Sequence, residues 1–246
     1  IDSIYEKRKV EEKDLKNVIN EIKENKIAGI NVTVPFKKLI IPFLDKLDFT
    51  AKKTESVNTI YKIKDKIIGY NTDSLGFFQT MLELYSGKDS VLAPPLIKKN
   101  VFILGAGGVT PSIVFALSNK VAKITVTNRT KEKAQELKNK FSKIEILDWG
   151  SKPSNFDIVI NTTSVGLKKN EKIDIDFSDC ETLKEKLFYD LIYNPKETNF
   201  LKEAKLRGNK TVNGQMMFLN QAIYAFNIWN NIKPKIDEEV IKLLDL

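Results

Sequence analysis

Apolar residues recur along the chain with two periods, and the change from one to the other marks its elements. Between residues 11 and 25, Leu15, Val18, Ile19 and Ile22 share one face of a 3.6-residue repeat, which predicts an amphipathic helix. In Asn31-Val32-Thr33-Val34-Pro35-Phe36-Lys37 the period is two. Val32 and Val34 alternate with Asn31 and Thr33, predicting a short strand that Pro35 ends, with a helical piece following through Leu39, Ile40, Phe43 and Leu44. Ser56 to Tyr61 predicts another strand, Lys64-Asp65-Lys66 a hairpin turn and Ile67-Ile68-Gly69-Tyr70 the returning strand. A helix carrying Leu75, Phe78, Met81 and Leu82 starts near Asp73, whose carboxylate suits an N-cap.

Residues 86–100, with Gly87 and Pro94-Pro95, have the composition of a linker. Beyond them, β-rich runs at 101–104, 123–126, 144–147, 158–160 and 187–191 alternate with helical patterns, which predicts βαβ units and a parallel sheet. Helices at about 213–231 and 237–246 close the chain, the first with an apolar seam of Phe218, Ala222, Ala225 and Trp229. The expected fold class is α/β with two domains. At 246 residues and 42% hydrophobic content, the chain can bury two modest cores.

Composition narrows the chemistry. No apolar run reaches the roughly eighteen residues of a membrane span, and Ile1-Asp2-Ser3-Ile4-Tyr5 lacks the layout of a signal peptide. The single cysteine, Cys180, excludes an internal disulfide; a soluble, cytoplasmic protein is expected. The formal charge of +8 arises from 40 Lys+Arg against 32 Asp+Glu, interspersed as in Lys131-Glu132-Lys133. That texture suits a solvated surface and small anions, so no nucleic-acid or membrane partner is expected. The chain has no histidine, which removes Ser-His-Asp triads, histidine bases and histidine-ligated metals; no metal site is expected.

The sharpest motif follows the run at 101–104. Gly105-Ala106-Gly107-Gly108-Val109 leads into a helix with Ile113, Val114, Ala116 and Leu117, the context in which glycines let a pyrophosphate approach a helix N-terminus. Thr110 holds the third small position, where Gly or Ala is usual. An NAD site places Asp or Glu at the end of the next strand, whereas here stand Asn128-Arg129-Thr130 and then Lys133. A guanidinium beside an amide, a hydroxyl and an ammonium suits a 2′-phosphate, so NADP is the expected cofactor.

These residues resemble the shikimate dehydrogenase family from near residue 28 to the C-terminus. The resemblance rests on eight motifs in order. They are Asn31 to Lys37, Ser56-Val57-Asn58-Thr59, Gly69-Tyr70-Asn71-Thr72-Asp73, Gly105 to Gly108, Asn128-Arg129-Thr130, Asn161-Thr162-Thr163-Ser164, Tyr189 to Pro195 with Thr198, and Asn213-Gly214-Gln215-Met216-Met217 with Gln221-Ala222. The resemblance implies an NADPH-dependent, reversible reduction of 3-dehydroshikimate to shikimate. It implies Lys37 and Asp73 as the catalytic pair, with Asn31, Thr33, Asn58 and Gln221 holding the substrate's hydroxyls and carboxylate, and Tyr193 within reach of it. Thr162 and Ser164 would line the nicotinamide side, and Leu191 and Gly214 would flank the ring.

The implied domains are a substrate-binding part, 1–88, completed by C-terminal helices in 214–246, and a Rossmann-type NADP-binding part, 89–213. The strand and Ser-x-Ser loop with which family members open have no counterpart before Ile1, and Ser3 falls in what resembles the second strand. A monomer or homodimer is expected. A quinate/shikimate dehydrogenase of broader specificity and a non-catalytic effector-binding module remain as alternatives.

Replacing Arg129 tests the cofactor assignment. Arg129→Ala is expected to lose about tenfold of any preference for NADPH over NADH, roughly one charge-assisted hydrogen bond. Steady-state kinetics with both cofactors measure it, and unchanged discrimination removes the assignment.

Overall fold

The computed structural model describes residues 2–85, 95–168, 170–177 and 186–243. The chain divides into two units, Ile1–Asn71 and Thr72–Leu246. The boundary expected after residue 88 lies in 86–94, and Cys180 in 178–185, both outside the described residues.

In the first unit a 3-10 turn at Glu12–Asp14 leads into α1, Leu15–Lys23. Its buried residues are the four predicted, Leu15, Val18, Ile19 and Ile22. Then come β1 (Gly29–Asn31), α2 (Phe36–Leu39), β2 (Lys46–Leu47), α3 (Phe49–Thr54), β3 (Thr59–Ile63) and β4 (Lys66–Tyr70). The sheet order is β1-β3-β4-β2, and β3 and β4 form the predicted hairpin, with Ile63 opposite Lys66 and only Lys64 and Asp65 in the turn. Leu15, Ile19 and Ile22 pack with Ile60 and Ile67, each burial contributing roughly 1.5–3 kcal/mol.

Three expectations for this unit need correction. Residues 2–10 contain no strand: their charged run from Glu6 to Lys9 offers no apolar face to bury, and Ile4 and Tyr5 are exposed. Side chains tie the segment down instead, Tyr5 Oη donating to Asn31 Oδ1 at 2.8 Å and Arg8 pairing with Glu21 at 2.6 Å. The strand expected to run to Pro35 stops at Asn31. Phe36 N–H already donates to Thr33 O at 2.9 Å, so the chain is turning and Val34 points to solvent. Pro42, which lacks an N–H, breaks the following helical piece into α2 and a 3-10 turn at Ile41–Phe43. Sequence patterning missed β2 and α3, although Asp48 caps α3 by accepting from Ala51 N–H at 2.8 Å and Thr50 N–H at 3.1 Å.

The second unit runs α4 (Asp73–Tyr85), a 3-10 turn (Pro95–Lys98), β5 (Asn100–Leu104), α5 (Thr110–Leu117), β6 (Lys123–Thr127), α6 (Lys131–Lys140), β7 (Ile144–Leu147), β8 (Ile158–Asn161) and β9 (Leu187–Asp190). It continues with α7 (Asn199–Leu206), β10 (Lys210–Val212), α8 (Gln215–Asn230) and α9 (Glu238–Leu243). All strand pairs in its sheet are parallel, in the order β10-β9-β8-β5-β6-β7. Parallel strands are covered on both faces, and the pleat divides their side chains between two cores. Val101, Ile103, Ile158, Ile160, Leu187 and Tyr189 join one. Phe102, Leu104, Val159 and Phe188 join the other, which includes Phe156 and Phe200.

Strand order reverses between β5 and β8, so the loops leaving their C-terminal ends part and open a crevice there. Of the segment with linker composition, Leu96 lies inside the core rather than in a linker. β10 has three residues and was not foreseen; the closing helix is described only as far as Leu243.

The face of α4 is also displaced from expectation. Leu75 is exposed, and the buried side is Asp73, Ser74, Gly76, Phe77, Thr80 and Met81. The cause is α8, which packs along α4. A Cβ on Gly76 would lie 2.6 Å from Gln221 N and 2.9 Å from its Cα, so only glycine admits this approach. Asp73 is the first helical residue, following Thr72, and not the N-cap. The seam expected on α8 is only part-buried: Ala225 is buried, whereas Phe218, Ala222 and Trp229 are intermediate.

Gly76→Ala therefore opposes two effects. Alanine favours helix by about 0.5–1 kcal/mol, but the two backbones must separate, at about 1–3 kcal/mol. The overpacking wins, and the urea midpoint is expected to fall.

Candidate active site

The glycine loop is built where β5 ends. Gly105 has φ +104°, and a Cβ there would meet Thr162 Oγ1 at 2.8 Å and Thr163 Cγ2 at 2.9 Å, so a side chain is excluded by both backbone and space. Ala106 N–H donates to Asn128 Oδ1 at 3.0 Å, and Asn128 Nδ2 donates to Thr130 O at 2.7 Å. Asn128 thus braces the loop from the end of β6. Thr162 Oγ1 donates to Leu104 O at 2.8 Å, leaving its oxygen to accept from Thr110 Oγ1, also at 2.8 Å. This accounts for threonine at the third position of the motif: fully buried, it ties the start of α5 to the end of β8.

Nothing lies within 4 Å of a Cβ built on Gly107 or Gly108, so the loop is open on the side a pyrophosphate would occupy, ahead of the α5 N-terminus after Val109. Arg129, next to the bracing Asn128, and Lys133, in the first turn of α6, are exposed. Sequence reading missed a third cation, Lys131, whose Nζ sits 2.8 Å from Asp148 Oδ1; that hydrogen bond raises its pKa. These features fit a phosphorylated dinucleotide. Among the described residues, no group of three or more acidic or cysteine side chains is placed to hold a metal ion, and no helix is long and apolar enough to cross a membrane.

On the other side of the crevice, the loop after β8 carries Thr162, which is buried, and Ser164, which is exposed. Leu191 follows β9, and its carbonyl fills the place a Gly214 side chain would need, 2.0 Å from the ideal Cβ. Tyr193 stacks on Phe218 with centroids 4.8 Å apart. Gln221 donates from Nε2 to Phe218 O at 2.9 Å, and its Oε1 lies 3.5 Å from Thr72 Oγ1, beside the buried Asp73.

In the first unit, Asn31 and Asn58 belong to one network. Asn31 Nδ2 donates to Asn58 O and Thr59 Oγ1, both at 3.1 Å, and Thr59 Oγ1 donates to Asn58 Oδ1 at 3.1 Å. Thr33 is exposed; Lys37 is half-buried in α2, its carbonyl accepting from Val57 N–H at 2.8 Å.

Sequence reading assigned no role to Asp190. Its carboxylate is fully buried and accepts from Thr198 Oγ1 at 2.6 Å, Ile192 N–H at 3.0 Å and Asn161 Nδ2 at 3.0 Å. Burial outweighs the three hydrogen bonds and lifts its pKa to about 6. The available signal was an acid ending the otherwise apolar Leu187-Phe188-Tyr189 run.

Two family models match the chain. One describes a shikimate dehydrogenase substrate-binding domain, over residues 1–60, and the other a shikimate/quinate 5-dehydrogenase, over residues 90–199. A shikimate dehydrogenase (NADP(+)) of Pelagibacter ubique is 49% identical over 247 aligned residues, covering 100% of this chain and 89% of the relative. The crystal structure of a shikimate dehydrogenase from Aquifex aeolicus matches with a TM-score of 0.81 at 36% identity, covering 96% of this chain and 84% of that one. A 5-ketofructose reductase of a Gluconobacter strain matches with the same TM-score, 0.81, at 30% identity, over 96% of this chain and 84% of that one.

The raised pKa of Asp190 has a thermodynamic consequence. Between the unfolded value, near 3.8, and about 6, the folded state binds the extra proton, so this group's contribution to stability grows as pH falls. The stability of the wild type relative to Asp190→Asn is expected to rise by about 1 kcal/mol from pH 7 to pH 5. Urea unfolding of both proteins at the two pH values measures the difference.

Proposed function

The chain belongs to the shikimate dehydrogenase family, and from that premise we propose that it interconverts 3-dehydroshikimate and shikimate, using NADPH in one direction and NADP⁺ in the other, within aromatic amino acid biosynthesis. The observation that carries this reading is the open glycine loop at the strand-order reversal, flanked by Asn128-Arg129-Thr130 where an NAD site would hold an acid. Gly105 to Val109 would lie under the pyrophosphate, with Arg129, Thr130 and Lys133 toward the 2′-phosphate. Thr162, Ser164, Leu191 and Gly214 would belong to the nicotinamide half. Asn128 and Thr162 act through the loop they brace.

When bound, NADPH supplies the hydride that adds to the ring ketone. The oxygen then develops alkoxide charge and needs a proton. By the family motifs Lys37 is the donor, which suits a chain without histidine: an N–H bond breaks, an O–H bond forms, and the lysine regains its proton from solvent. By the family motifs Asp73 is the second member of the catalytic pair and accepts from a substrate hydroxyl, and Asn31, Thr33, Asn58, Gln221 and Tyr193 are the residues for the remaining substrate groups. The residue roles follow the family motifs position by position.

Broader specificity is favoured by the family model named for both shikimate and quinate and by the resemblance at 30% identity to an enzyme named for reducing 5-ketofructose. Comparing kcat/KM for shikimate and quinate decides between the readings. Cytoplasmic residence, supported by the single cysteine, and absence of a nucleic-acid partner, supported by the interspersed charge, complete the proposal together with a monomeric or homodimeric state.

The spectrophotometric assay of NADP⁺ reduction with shikimate tests the activity. In it, Lys37→Ala is expected to lower kcat about 10²-fold or more while KM changes little, as for a group acting mainly in the transition state. A surviving kcat with a raised KM would make Lys37 a binding residue.

A further inference from the structure

Asn161 and Asp190 are the last residues of β8 and β9 and stand opposite each other in the ladder. Neither side chain reaches solvent. An ionised carboxylate only accepts, so Asp190 compels Asn161 to turn its amide nitrogen toward it, at 3.0 Å. The amide oxygen of Asn161 is thereby aimed the other way, where it accepts from Thr163 N–H at 3.0 Å and Thr163 Oγ1 at 2.7 Å. Thr163 Oγ1 in turn accepts from Val165 N–H at 3.1 Å, and Asn161 Nδ2 also donates to Val165 O at 3.2 Å. One carboxylate therefore sets the conformation of residues 161–165.

The same carboxylate governs the segment after β9. Its Oδ1 accepts from Ile192 N–H, while Leu191 N–H donates to Asn161 O at 3.0 Å, which fixes the turn that presses the Leu191 carbonyl against Gly214. Thr198 closes the arrangement, donating to Asp190 Oδ2 and packing its methyl 3.1 Å from where a Gly166 Cβ would be, at a residue with φ +116°. Both segments lie at the C-terminal ends of β8 and β9, beside the glycine loop, whose Gly105 carbonyl lies 3.3 Å from Thr162 Oγ1.

We propose that Asp190, with Thr198 as its second anchor, is a positioning residue for the nicotinamide half of the cofactor site, holding residues 161–166 and Leu191 in the one arrangement that admits the ring. It touches no ligand itself. This rests on the NADP reading given above.

The test uses Asp190→Asn, Thr198→Val and the conservative Thr198→Ser. Asparagine brings an NH₂ into a site whose neighbours all donate; valine deletes one donor without changing charge. KM for NADPH is expected to rise about tenfold or more in both, with KM for 3-dehydroshikimate within about twofold of wild type and Thr198→Ser close to wild type. Folded variants that keep KM for NADPH within about twofold, or that raise both KM values alike, overturn the proposal. Where Asp190→Asn does not fold, Thr198→Val decides. A wild type inactive with 3-dehydroshikimate would refute the functional reading instead, and the positioning role is then judged on the NADPH dissociation constant, read from nicotinamide fluorescence.

Discussion

Two hydroxyls tie together the elements that diverge at the strand-order reversal, and the cofactor loop depends on that tie. Thr162 donates to the carbonyl that ends β5, and Thr110, opening α5, donates to Thr162. A parallel sheet parts its loops at this point whatever the side chains are, so the crevice follows from topology. Its shape does not. With Gly105 at φ +104° pressed on Thr162 and Thr163, the chain leaves β5 in one direction only, and the space that side chains on Gly107 and Gly108 would take stays open. Fully buried hydroxyls would be costly if unpaired, so they hold the loop as a pair or not at all.

What sequence made legible follows the same physics. β5, β8 and β9 are recognisable because burial on both faces demands uninterrupted apolar runs, and the glycine loop because Gly105, at φ +104° and pressed on Thr162, admits no side chain. The strands β2 and β10, of two and three residues, are too short to display a period. The helix α4 was legible as a helix, but its buried face was not, since Gly76 faces inward only because α8, some 140 residues later, lies against it. Asp190 was hidden for a related reason. Its partners Asn161, Ile192 and Thr198 come from a neighbouring strand and two turns, and nothing local announces that one acid gathers them.

In the first unit, hydrogen-bond capacity narrows what the substrate residues can do. Both Nδ2 protons of Asn31 are committed, to Asn58 O and Thr59 Oγ1, and its Oδ1 accepts once, from Tyr5. A carbonyl oxygen has two lone pairs, so in its proposed role Asn31 can only accept, and the group it holds must be a hydroxyl and not a carboxylate. The carboxylate must then fall to donors, such as hydroxyls and amide nitrogens elsewhere in the site.

Asp148 needs weighing against the NADP assignment, because an acid near the adenosine ribose is the mark of an NAD site. It stands at the end of β7, one strand beyond the position that normally reads the ribose, and its carboxylate is occupied by Lys131 at 2.8 Å. Their side chains are 70% and 68% exposed, so solvent screens the pair and holding it contributes little. A 2′-phosphate carries nearly twice the charge of a carboxylate and accepts more hydrogen bonds, so exchanging partners costs Lys131 little. The acid thus parks a cation beside Arg129 without competing for the ribose, and its presence is compatible with a phosphorylated dinucleotide.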